Sequence, residues 1–126
     1  MKLRIHGNSL RLRLNQAEVA QFSKTGFVED SIQFAHGASF SYALESLSEV
    51  SSPRATYQNG WLRIQIPSGD ATEWATTDRV GVSADQPLTG GKQLSILIEK
   101  DFQCLHSGEG PDPKAFPNPL ESAAKR

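Results

Sequence analysis

Lys2, Arg4, Arg11 and Arg13 occupy alternate positions in the first fourteen residues, MKLRIHGNSLRLRL, a stretch that carries no acid. Successive side chains of an extended chain point to opposite faces. These four cations, with His6 and Ser9, therefore share one face, and Leu3, Ile5, Leu10, Leu12 and Leu14 share the other. A turn at Gly7-Asn8 folds the stretch into a two-stranded ribbon, oily on one side and cationic on the other. Basic side chains on adjacent antiparallel strands lie within about 5 to 8 Å of one another. Four like charges that close repel unless something negative answers them. Arginine's planar fork matches phosphate or carboxylate oxygens two at a time, so the chemistry on offer is anion capture. The answering group is either a phosphate-bearing ligand or the chain's own carboxylates. Glu99 and Asp101, alternating on a late strand, and Glu29 and Glu45, on or near other strands, are the internal candidates.

Other reactive groups are sparser. The run Glu99-Lys100-Asp101-Phe102-Gln103-Cys104-Leu105-His106 holds a cysteine and a histidine two apart. That spacing admits a metal ligand pair or a nucleophile with its base. Zinc needs further ligands, and besides carboxylates only His6 and His36 remain, so Cys104 reads as a small buried residue ending a strand and His106 as exposed. No metal and no cofactor is expected. Glu29-Asp30, or Glu99 with Asp101, has the composition of an acid–base pair but no sequence sign of burial. Thr89-Gly90-Gly91-Lys92 lacks the upstream glycine and the following Ser or Thr of a phosphate loop and reads as a turn. Trp61 and Trp74 read as core and sheet-packing residues.

Composition bounds the function classes. The chain has 126 residues, the size of one domain, and a formal charge of −1. Without the four basic residues of the ribbon, the remaining nine basic and fourteen acidic residues leave a body of about −5, so the ribbon is a local positive feature on an acidic surround. Nucleic acid is an unlikely partner, because the total charge is negative and the ribbon carries no stacking aromatic. No run approaches the roughly 20 apolar residues of a membrane helix. The single cysteine excludes an intramolecular disulfide and points to the cytoplasm.

The elements that must position these groups are legible as follows. Asn15 and Glu18 form a capping box, Leu14 and Val19 a hydrophobic staple, and Gly26 a C-terminal stop, which together predict a helix at about 16–24. Phe40, Tyr42 and Leu44 alternate with small residues as a half-buried strand. Asn59-Gly60 between Ala55–Gln58 and Trp61–Ile66 predicts a type I′ hairpin. Asp70 with Glu73 suggests a second capping box and a short helix at about 71–76. Val80 and Val82 suggest a brief strand, residues 85–91 a turn, and 92–102 a central strand. The expectation is an α+β domain at 1–106, a mainly antiparallel curved sheet or partly open barrel of about seven strands. Residues 107–126, with four of the seven prolines, read as an extended tail that Phe116 pins to the domain. No internal repeat is legible.

KLRIHGNSLRLRLNQAEV at 2–19 and LIEKDFQCL at 97–105, with EWATTDRVGV at 73–82 and FPNP at 116–119, resemble a family of short uncharacterised bacterial proteins, a domain of unknown function. The resemblance spans most of the chain and implies a single compact cytoplasmic domain; it carries no catalytic residue. The alternating Lys2, Arg4, Arg11 and Arg13 with Glu99 and Asp101 also look faintly like triphosphate-tunnel enzymes, whose strands line a tunnel with mixed charges, although the alternating-glutamate motif that opens those enzymes is missing here.

The expected function is binding of a small phosphate-bearing anion, or of a protein partner, by a small cytoplasmic protein, with Lys2, Arg4, Arg11, Arg13, Glu99 and Asp101 as the site. A metal-dependent polyphosphate hydrolase and an interaction module without a small ligand are the alternatives.

Overall fold

The computed structural model describes residues 1–102 and residue 116. Eight strands and two helices follow in the order β1 (Lys2–His6), β2 (Ser9–Leu14), α1 (Gln16–Thr25), β3 (Phe27–Gln33), β4 (Ser39–Leu47), β5 (Arg54–Gln58), β6 (Trp61–Pro67), α2 (Ser68–Thr76), β7 (Gly81–Pro87) and β8 (Gln93–Lys100). They form an α+β fold of two four-stranded sheets, β1-β2-β8-β7 and β3-β4-β6-β5, in place of the single sheet of about seven strands expected from the sequence. Each sheet is two antiparallel hairpins joined through a parallel pair at its centre, β2 with β8 and β4 with β6. Parallel pairing between distant segments leaves no local mark, which is why the turns alone suggested an antiparallel sheet.

The chain is an internal repeat, contrary to the sequence reading. Its halves share the order strand, strand, helix, strand, strand, and each hands one hairpin to the other's sheet. The registers superpose residue by residue. Lys2 faces Arg13 as Arg54 faces Gln65, and Arg13 faces Glu99 as Gln65 faces Glu45. The amide of Ser95 donates to the Asn8 carbonyl at 3.1 Å, and that of Ser41 to Gly60 at 2.9 Å. Phe34 and Leu88 donate to Ala38 and Lys92 across matching three-residue 3-10 turns at 2.7 and 2.8 Å. Few identities survive, so the repeat is visible chiefly as pairing geometry.

One apolar core lies between the sheets and under the helices. Leu12, Leu14, Ile96 and Ile98 face Leu44, Ile64 and Ile66 within it, with Val19 and Phe22 of α1 and Ala71 and Trp74 of α2. Side chains bridge the edges where the sheets meet. Gln86 of β7 accepts from the Ala55 amide at 2.7 Å and donates to its carbonyl at 3.3 Å. Tyr42 donates to the Met1 carbonyl at 2.8 Å, beside the ion pair of the Met1 ammonium with Glu18. Burial of the Tyr42 phenol and the neighbouring Asp30 and Glu18 carboxylates hold its pKa above the ordinary value.

Local signals explain α1 in full. The Asn15 side chain accepts from the Glu18 amide, Glu18 accepts in return from the Asn15 amide, and Gly26 takes the left-handed φ of +74° that ends the helix. Asn59 and Gly60 both adopt positive φ, as a type I′ hairpin demands. Helix α2 departs from expectation. It starts at Ser68, directly after Pro67, and no side chain caps it. Entering three residues early places Asp70 inside the first turn, where it meets Arg79 at 3.3 Å instead of capping. Strand β7 runs through Pro87, beyond the expected 80–82, because its pairing with β8 overrides weak local propensity. Trp74 is buried, as expected, whereas Trp61 is only half-buried beneath the Arg63 guanidinium, 5.1 Å from the ring centroid. Phe116, expected to pack on the domain, is 97% exposed. No helix among the described residues is long and apolar enough to cross a membrane.

Candidate functional site

The outer face of the first sheet collects the basic ribbon. β1 and β2 pair in the register Lys2–Arg13 and Arg4–Arg11, so all four cations project from one face while Leu3, Leu12 and Leu14 turn to the core. The Gly7-Asn8 turn, with the only positive φ at Gly7, sets that register. β8 lies in parallel beside β2 and aligns Glu99 with Arg13, and the chain just after β8 carries Asp101 to the same side.

Lys2, Arg4, Arg11 and Arg13, with Leu3, line a depression of about 200 Å³. Of the four candidate carboxylates, Glu99 and Asp101 answer them. One oxygen of Glu99, Oε1, accepts from the Nε of Arg11 and the Nε of Arg13, each at 2.6 Å. Lys2 Nζ lies 2.9 Å from Asp101 Oδ2. Arg4 is exposed, and among the described residues it has no ion pair or hydrogen bond. Four cations against two carboxylates leave the depression with a local excess of positive charge. Both internal pairing and an unanswered cation are therefore present on one surface.

The electrostatics follow from these contacts. Burial alone would push the Glu99 carboxyl up, but hydrogen bonds from Arg11 and Arg13, and the charges of both, outweigh it and hold the group below the usual range. Asp101 is lowered too, first through its hydrogen bond from Lys2. Both carboxylates thus stay ionised at neutral pH and keep the cations in place, a fixed dipolar frame around the depression.

Of the other candidates, Glu45 pairs with Arg63 at 2.9 Å on the second sheet, a contact the sequence reading missed and that only the β4–β6 register brings together. Glu29 and Asp30 lie on the exposed edge strand β3 and form no paired site. Thr89–Gly91 is the expected turn. Cys104 and His106 lie outside the described residues. Among the described residues no group of three or more His, Cys, Asp or Glu is placed to hold a metal ion. A larger open groove of about 1140 Å³ runs between α1, Ala75 and residues 100–102. Its lining includes Ala17, Val19 and Ala20 of α1 and lacks the convergent positive charge of the smaller depression; Asp101 lines the groove and pairs with Lys2 of the depression.

Residues 1–120 match the model of a family of unknown function (DUF7009). No curated protein and no solved structure matches the chain.

Proposed function

As the chain belongs to that family of unknown function, we propose from its geometry that it binds a small phosphate-bearing anion in the depression on the outer face of the first sheet. The observation that carries this reading is the convergence of Lys2, Arg4, Arg11 and Arg13 on one depression with Arg4 unanswered. At about 200 Å³ the space is below the 300–1000 Å³ of drug-sized pockets and suits a phosphate group better than a large ligand. Glu99 and Asp101 act as supports that hold the cations apart and oriented. That occupation argues against a hydrolase in which the same carboxylates bind metal. The single cysteine and the acidic body support a cytoplasmic setting.

Calorimetric titration of the full chain with inorganic phosphate and pyrophosphate tests the reading. Saturable binding that weakens at least tenfold in Arg4→Ala, and that falls with added salt, supports it. Absence of saturable heat at millimolar ligand, or binding unchanged in Arg4→Ala, overturns it.

A further inference from the structure

The internal repeat supplies a built-in comparison for the basic face, because the second sheet presents the same frame with different side chains. Arg11 and Glu99 correspond to Arg63 and Glu45, and both pairs are ion pairs, at 2.6 and 2.9 Å. The frame pair is thus common to both sheets and serves the sheet itself. Around it the sheets differ. Arg4 corresponds to Thr56 and Arg13 to Gln65, as the matched registers require. The remaining cationic position is kept, Lys2 matching Arg54, but Arg54 donates to Gln65 at 2.8 Å where Lys2 meets Asp101. The second sheet therefore has two cations and one carboxylate where the first has four and two.

Resting on the anion-binding reading, we propose that Arg4 and Arg13 are the residues that determine anion binding, that the Arg11–Glu99 pair is a positioning element shared by both sheets, and that the chain consequently carries one anion site where its repeat offers two frames. A phosphate carries two or more oxygens for charge-assisted hydrogen bonds, and Arg4 and Arg13 on neighbouring strands flank the depression from both sides of Arg11. Thr56 and Gln65 offer polar atoms but no charge. The same backbone thus presents four cations around two carboxylates on one face and only Arg54 and Arg63 around Glu45 on the other.

The equivalence makes the test reciprocal. Arg4→Thr with Arg13→Gln copies side chains that the second sheet already accommodates, so the fold is preserved. Thr56→Arg with Gln65→Arg copies the site onto the second sheet. Titration with pyrophosphate should give one site in the wild type, at least tenfold weaker binding in the first double variant, and a stoichiometry of two in the second. Melting temperature without ligand should stay within a few degrees throughout. Pyrophosphate binding that weakens in Arg4→Ala but is unaffected by Arg13→Gln overturns this inference while leaving anion binding in the depression intact. A stoichiometry still of one in Thr56→Arg/Gln65→Arg overturns the shared frame. A wild type that binds nothing overturns the function on which the inference rests.

Discussion

Phe22 of α1 and Trp74 of α2 meet edge to face, ring centroids 5.9 Å apart and planes inclined at 68°. They are equivalent residues of the two halves, 52 positions apart, and each packs on its counterpart across the internal twofold relation. Both are almost wholly buried, and the Trp74 indole donates to the Val80 carbonyl at 2.9 Å. Edge-to-face geometry sets the positive rim of one ring against the negative face of the other. This contact joins the helices that link the two sheets, so the halves depend on it together.

Truncating that contact should therefore cost as much as a core deletion can. Trp74→Ala is expected to destabilise the chain by about 3–5 kcal/mol, through lost transfer energy and a cavity. Trp74→Phe, which copies the other half, should cost less. Urea unfolding of both variants measures the difference, and equal losses would show that ring volume is not what matters.

The two helix starts predict opposite responses to cap removal. Asn15 holds a complete capping box, so Asn15→Ala should cost about 1 kcal/mol. Asp70 caps nothing and sits near Arg79 at a half-exposed site, so Asp70→Ala should stay within about 0.5 kcal/mol. Denaturant midpoints at constant m-value separate these outcomes.

These contrasts also mark what was legible in the sequence. Helix α1, the Asn59-Gly60 hairpin and the cationic alternation of β1 and β2 rest on contacts within a few residues, and each emerged as read. Glu99 and Asp101 are legible as candidate partners of the basic face from charge and alternation, but only the β2–β8 register selects them over Glu29 and Glu45. The central parallel pairs, the Glu45–Arg63 bridge and the repeat rest on registers between segments tens of residues apart. Leu10-Arg11-Leu12 against Leu62-Arg63-Ile64 is the one stretch where the repeat survives as sequence. Elsewhere hydrophobic type is retained at core positions and identity is not, as Phe22 against Trp74 illustrates.

Gly81 illustrates a constraint of space rather than of conformation. A Cβ there would lie 2.9 Å from the Ile98 carbonyl oxygen, a backbone atom that cannot swing aside. Gly81→Ala should force β7 away from β8 at cost of about 1–3 kcal/mol. Thermal unfolding checks this; an unchanged melting temperature would mean that the β7 edge yields freely.

Glu99 connects the basic face to pH. Its carboxyl is partly buried, which opposes ionisation, yet the hydrogen bonds and charges of Arg11 and Arg13 bring its pKa below the ordinary 4.5. A carboxylate depressed in the folded state stabilises the fold above its unfolded pKa, and that contribution disappears as pH falls through the folded value. The affected window therefore opens near pH 4.5 and extends downward. Glutamine mimics the protonated acid and has no such dependence. At pH 7, Glu99→Gln should be less stable than the wild type by about 1 kcal/mol, a modest figure because both arginines retain access to water. As the pH is lowered the wild type should lose stability more steeply than the variant, and the two curves should converge once Glu99 is protonated. Chemical denaturation from pH 7 to pH 3 gives both curves. A gap that stays constant over this range would show that the Glu99 carboxylate does not depend on its arginine partners in the folded state.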